Sequence, residues 1–215
     1  MAGELDLRMV REVFPNVIQV RDWGVCFYLL REKDNLALID GGFLWGARKL
    51  SCWLERQGLG WIAVKAILMT HGHLDHVLNV AKIRELSGAK VFGHPFEHGH
   101  FRGVGEYRGW GKICGWSEAV GRSLLGYKPF EVDEEIEDGE LLDFWGGLRV
   151  AHLPGHTPGH CGFYSEKRGV LFSGDSHASY LWGAVMPPRI FNWDEELVKE
   201  SAGKADALGA TQVFA

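Results

Sequence analysis

The sequence predicts an α/β fold, and three observations point to it. The chain opens on short β-branched and aromatic runs punctuated by turn residues. It then alternates apolar runs of strand length with stretches of helical periodicity, an order that layers helices on a sheet. Histidines and carboxylates gather where apolar runs end, so a site at one sheet edge is expected. The 215 residues suffice for a single domain, 1–215, with a substantial core.

Residues 17–20, 26–30 and 36–39 read as an antiparallel meander, separated by Asp22-Trp23-Gly24 and Lys33-Asp34-Asn35. The meander ends at Asp40-Gly41-Gly42. Asp40 has two readings, a carboxylate that steadies a neighbouring functional loop or an ordinary turn aspartate. A helix is expected over 47–56, closed by Gly58, and a buried strand over 66–69. A second helix is expected over 77–86, stopped by Gly88, and a strand over 90–92.

Residues 94–130 differ in texture, with eight glycines, scattered aromatics, five basic residues and three acidic ones. They read as an insertion of loops with one short helix near 117–125. It either covers the active site or only caps the sheet. His94, His98 and His100 lie there and read as loop histidines rather than ligands. Residues 131–143 carry eight acids and no base, with a hairpin signal at Asp138-Gly139. Strands follow at 148–153, 161–164 and 170–172. Asn192 reads as the cap of a helix with Glu195 at the capping-box position. A last strand is expected over 211–214.

The chemistry concentrates in Thr70-His71-Gly72-His73-Leu74-Asp75-His76, directly after an apolar run. Imidazole and carboxylate ligands suit zinc, iron or manganese. His71 and His73, two apart, can aim both rings at one cation from an extended backbone. Asp75 and His76 follow where the chain turns and can face a second position. Pro154-Gly155-His156-Thr157-Pro158-Gly159-His160 forms a tight loop presenting His156 and His160. Ser173-Gly174-Asp175 ends another apolar run.

Composition excludes several classes. Net charge is −5, which gives no electrostatic case for nucleic acid. No run of about eighteen apolar residues occurs, so no membrane span is expected. Four cysteines without a CxxC pair read as buried free thiols in a reducing compartment. The first residues lack an apolar signal-peptide core, and a cytoplasmic enzyme is expected.

In this order and spacing the three histidine and aspartate motifs resemble the metallo-β-lactamase-fold hydrolase superfamily, including its glyoxalase II-like and lactonase-like members. The resemblance implies a four-layer αββα sandwich of two mixed β-sheets, with a dinuclear site at one edge. It implies that His71, His73 and His156 bind one metal. Asp75 and His76 would bind the second, and Asp175 would bridge. Asp40 matches the aspartate that supports the metal loop, and His160 a position that does not ligate. Two divalent ions, zinc first and iron or manganese next, are the implied cofactors.

The family supplies a further histidine to the second metal after a short C-terminal strand. Here the chain stops at Ala215, so a truncated C-terminus is expected, or else a weakly held second ion. His177, two residues past Asp175, is the candidate substitute ligand.

The implied chemistry is hydrolysis. Two cations bring the pKa of a shared water to about 7, and the metal-bound hydroxide attacks a carbonyl. Asp75, besides holding metal, orients or shuttles the proton. No GxSxG nucleophile motif is present.

The superfamily hosts many substrates, so fold and motif do not settle which. His73 argues against the redox members, which carry glutamate there. Short length and acidic balance argue against nucleases. The missing leader argues against secreted β-lactamases, and the missing C-terminal helical domain against glyoxalase II-like thioesterases. A small cytoplasmic thioesterase, lactonase or esterase remains. The alternatives are a β-lactam or phosphodiester hydrolase of the same fold, or a non-catalytic metal-binding module. The basic excess in 94–130 suggests an anionic small-molecule substrate. Tyr180 is a candidate for hydrogen bonding a substrate carbonyl, or else an aromatic packed beside Trp182.

Overall fold

The apolar strands of this chain alternate their side chains between two buried interfaces, and that alternation builds the layers. In the computed structural model the described residues are 9–180, 183–185 and 187–215, with side chains excepted at 178–180 and 183–185. The first sheet has seven strands in sequence order: β1 (Val10–Phe14), β2 (Val17–Asp22), β3 (Val25–Glu32), β4 (Asn35–Ile39), β5 (Val64–Leu68), β6 (Lys90–Gly93) and β7 (Glu134–Glu135). Strands β1 to β4 pair antiparallel, and β4 to β7 pair parallel. The parallel part needs crossovers, supplied by α1 (Gly46–Arg56) between β4 and β5, by α2 (Leu74–Val77) with α3 (Val80–Ser87) between β5 and β6, and by residues 94–133 between β6 and β7.

The second sheet runs β14 (Gln212–Phe214), β11 (Val170–Phe172), β10 (Cys161–Ser165), β9 (Leu148–His152) and β8 (Leu141–Leu142). A two-stranded ribbon, β12 (Ala178–Tyr180) and β13 (Gly183–Val185), follows β11. Helices α4 (His98–Phe101) and α5 (Gly111–Leu124) lie in the 94–130 segment, and α6 (Glu195–Ala207) precedes β14.

Three cores separate four layers. Ile18, Phe27, Leu29 and Leu38 of the first sheet pack with Leu50 and Leu54 of α1 and Val80 and Ile83 of α3. The alternate residues Tyr28, Leu30 and Ile39 pack with Val150, Phe163 and Phe172 of the second sheet. Ala151, Leu153 and Leu171 pack with Ala205 of α6. Both faces of the central strands are thus buried, which is why they read as continuous apolar runs. The expected αββα sandwich of two mixed sheets is what the chain forms.

Some expectations need correction. Strand β1 was not anticipated from the sequence. The helix expected over 77–86 is two pieces, α2 and α3. The short helix expected near 117–125 begins at Gly111 and runs 14 residues. Its glycines disguise it, yet they let neighbours approach closely. A Cβ at Gly111 would lie 2.7 Å from the Asn192 carbonyl oxygen, and one at Gly115 2.6 Å from the Tyr107 ring.

Asp138-Gly139 is not a hairpin turn either, because β7 and β8 belong to different sheets. The Gly139 N–H donates to Val150 O and the Asp138 carboxylate accepts from His152 N, each at 2.8 Å, so this turn crosses onto β9. The cap of α6 is Asp194, which accepts from Glu196 N and Leu197 N. Asn192 is buried elsewhere.

Phe172 lies at the centre of the inter-sheet core, with ring centroids 5.4 Å from Tyr28, 5.6 Å from Phe214 and 5.9 Å from Trp145. Phe172→Ala is expected to lower stability by about 3–5 kcal/mol, read from urea denaturation.

Candidate metal centre

Strands β4, β5 and β11 and the β9–β10 connection send their following residues to a common place. The parallel pairing of β4 and β5 brings Asp40 beside the 70–76 loop, where the Asp40 N–H donates to Leu68 O at 3.0 Å. The Cys161 N–H donates to Thr70 O at 2.8 Å and ties in the 154–160 loop. The Asp175 N–H donates to His160 Nε2 at 3.0 Å and ties in the loop after β11.

Five imidazoles are thereby packed together. Ring centroids of His71 lie 4.8 Å from His73, 4.2 Å from His76, 4.8 Å from His156 and 5.1 Å from His160. All five rings are buried. Ligand atoms of His71, His73 and His156 converge, as do those of His71, His76 and Asp175. Asp175 faces both sets, with Oδ1 3.3 Å from His76 Nε2 and Oδ2 3.5 Å from His156 Nε2.

Hydrogen bonds set which nitrogen of each ring faces inward. Asp40 Oδ1 accepts from Thr70 N at 2.8 Å, and Oδ2 accepts from Thr70 Oγ1 at 2.7 Å and His76 Nδ1 at 2.8 Å. Because the Thr70 hydroxyl donates to Asp40, it accepts from His71 Nδ1 at 3.0 Å. His156 Nδ1 donates to Asn192 Oδ1 at 3.3 Å. The Nε2 atoms of His71, His76 and His156 are buried and have no hydrogen-bond partner. Buried polar atoms left unpaired are destabilising. A cation accepting those lone pairs removes the penalty, so the donor set fits divalent metal.

Burial first, and then neighbouring imidazoles, hold His71 and His73 well below the usual histidine range. They are therefore neutral, the form that ligates. Burial opposes charge on His76 as well, but Asp175, Asp40 and Asp75 outweigh it and lift that ring well above the usual range. Burial also disfavours the Asp175 carboxylate, and His76 overrides it and holds the group well below the ordinary value. Burial pushes Asp75 up to about 6.

The remaining expected residues lie as follows. Asp75 Oδ2 is 4.0 Å from His76 Nε2, with its side chain 37% exposed, and it stands outside the two convergent sets. His177 faces other partners: its Nε2 lies 3.6 Å from Asp206 on α6, and its Nδ1 meets Ser176 Oγ at 3.2 Å. The Tyr180 side chain and Trp182 lie outside the described residues.

Four residues that support the centre were missed in the sequence. Asn192, expected to cap a helix, orients His156 instead and donates to Pro187 O at 3.1 Å. Glu118 on α5 accepts from Leu74 N at 2.7 Å, at the start of α2. Arg122, one turn on, donates to Gly72 O at 2.6 Å and to Glu118 Oε2 at 2.8 Å. Glu97 accepts from Gly72 N and Gly159 N. The 94–130 segment thus does more than cap the sheet, since α5 grips the 70–76 loop. The only signal for Glu118 and Arg122 was their i, i+4 spacing, which is common on solvated helices.

The fold agrees with comparisons to known proteins. The model of the metallo-beta-lactamase superfamily matches residues 21–214, and the chain belongs to that superfamily. The hydroxyacylglutathione hydrolase GloC of Haemophilus influenzae is 31% identical over 152 residues, 70% of this chain and 65% of its own. A hydroxyacylglutathione hydrolase of Pseudomonas putida is 30% identical over 186 residues, 85% of this chain and 56% of its own. The chain thus spans less than two-thirds of the length of either relative.

A metallo-beta-lactamase family protein of Thermus thermophilus superposes with TM-score 0.71 at 28% identity, covering 94% of this chain and 73% of that one. TTHA1623, solved in a di-iron-bound form, superposes with TM-score 0.66 at 28% identity, covering 88% and 85%.

Glu118 and Arg122 are a buried pair, each side chain 9% exposed. Arg122→Ala leaves Glu118 buried without its cation and is expected to lower stability by about 3–5 kcal/mol. Adding Glu118→Gln should recover part of that loss, measured by chemical denaturation of both variants.

Proposed function

We propose that the protein is a metal-dependent hydrolase that cleaves an ester-type bond of a small molecule, with a thioester the leading candidate. The observation that carries this reading is the convergence of His71, His73, His156, His76 and Asp175, with the Nε2 atoms of His71, His76 and His156 buried and unpaired. The relatives named hydroxyacylglutathione hydrolase support a thioester. They also bring glutathione thioesters back among the candidates.

His71, His73 and His156 would hold one divalent ion, and His76, Asp75 and Asp175 a second, with Asp175 shared. Zinc, iron and manganese all suit this donor set. When bound, the ions supply Lewis acidity and bring the pKa of water towards neutrality. The chain's own groups do the rest. Asp40 keeps the His76 proton on Nδ1, so Nε2 faces the site. Asn192 does the same for His156. Asp75 is partly open to solvent beside His76, placed to take a proton from a water or return it to a leaving group.

The charge excess in 94–130 supports an anionic substrate only weakly. Arg102, Arg108, Arg122 and Lys128 already form ion pairs with Glu131, Glu106, Glu118 and Glu85. Cytoplasmic placement belongs to the same proposal and is supported by the four free cysteines. Among the described residues no helix is long and apolar enough to cross a membrane.

The test is a panel of a hydroxyacylglutathione, a lactone, a simple ester, a phosphodiester and a chromogenic β-lactam, with protein loaded with zinc, manganese or iron. Thioester turnover that a chelator removes is expected. His71→Ala and Asp75→Ala should each abolish it while leaving the circular dichroism spectrum unchanged. Turnover confined to the β-lactam or phosphodiester would establish that alternative instead. Full activity in metal-stripped protein, or none on any substrate, would defeat the reading.

A further inference from the structure

Glu97 is 1% exposed and sits at the end of a 3-10 turn, Pro95–Glu97, just ahead of α4. One carboxylate oxygen, Oε2, accepts from Gly72 N at 2.7 Å. The other, Oε1, accepts from Gly159 N at 2.8 Å. Gly72 lies between His71 and His73, and Gly159 lies between His156 and His160. A single side chain from a third segment therefore joins the two loops that carry the His71, His73 and His156 set.

The surroundings are built for this contact. A Cβ at Gly72 would stand 3.1 Å from Glu97 Oε2 and 2.3 Å from His100 Cβ. A Cβ at Gly159 would stand 2.9 Å from Glu97 Cγ and 3.0 Å from its backbone nitrogen. Both loops come close to Glu97 only because these positions lack side chains. No lysine or arginine among the described residues forms an ion pair with Glu97, and burial pushes its carboxyl up to about 7. Burying such a group is unfavourable without partners, and the two loop amides are hydrogen-bond donors that offset it. Each faces an acceptor, an arrangement that a carboxylate satisfies on both sides. An amide at this position offers one acceptor and one donor, so one loop would lose its bond and meet an N–H instead.

We propose that Glu97 is a positioning residue that sets the separation of the 71–73 and 156–160 loops, and that the site's affinity for its first cation depends on it. This inference rests on the metal-site reading above. The test is titration of metal-free protein with Co²⁺, following the visible absorption band of the bound ion and its dissociation constant. Glu97→Gln is expected to weaken the first Co²⁺ by about 10–100-fold and to alter the band, because ligand directions change. A residue that merely stabilised the fold would shift the unfolding midpoint and leave the affinity and the band as they were. If Glu97→Gln does not fold, Glu97→Asp carries the same readouts. It keeps both acceptors at shorter reach and should lose affinity too.

Identical affinity and spectrum in wild type and a folded variant would overturn the proposal. A wild-type protein that takes up no Co²⁺ would defeat the metal-site reading itself, a distinguishable result.

Discussion

Histidine lone pairs that face one another in a dry pocket are the constraint around which this molecule is arranged. His71, His76 and His156 each point an unpaired Nε2 into the same space. Protonating all of these rings would place like charges a few ångströms apart in low dielectric, and burial opposes each charge separately. Burial and the facing imidazoles hold His71 and His73 well below the usual histidine range, whereas Asp175, Asp40 and Asp75 draw towards His76 a positive charge that a metal ion would supply instead. That electrostatic demand is what a bound cation meets.

Holding such a pocket together requires an outer shell of hydrogen bonds, and the chain draws it from remote segments. Asp40 after β4, Asn192 before α6, Glu97 before α4 and the Glu118–Arg122 pair on α5 each bind a loop that carries ligands. None of these contacts joins elements that are neighbours in sequence. The 94–130 segment supplies the acidic and basic grips from outside the sandwich, while the sheets supply the strand ends. Rigidity of the centre thus depends on both.

Much of the fold was legible from the residues because its strands are short, apolar and separated by turn residues. The meander, the strand before the 70–76 loop, the helix after β4 and strands β9, β10, β11 and β14 follow from periodicity alone. The errors have physical causes. Glycines that allow close packing concealed the first half of α5. An Asp-Gly turn that crosses between sheets has the same local chemistry as a hairpin. Asn192 and Asp194 are both good caps, and only tertiary contacts choose between them. The histidine clusters were legible because so many imidazoles rarely share a loop without purpose. Glu97, Glu118 and Arg122 were not, because their partners are backbone groups far along the chain.

Asp40 also shows how narrowly one position can be specified. Its backbone takes φ +65°, a left-handed conformation that asparagine, aspartate and glycine tolerate best. Its side chain must accept from Thr70 N, Thr70 Oγ1 and His76 Nδ1 together. Glycine has no acceptor, and asparagine would turn an NH₂ towards one of those donors. Backbone shape and hydrogen-bond polarity, two unrelated requirements, leave aspartate as the one residue that meets both.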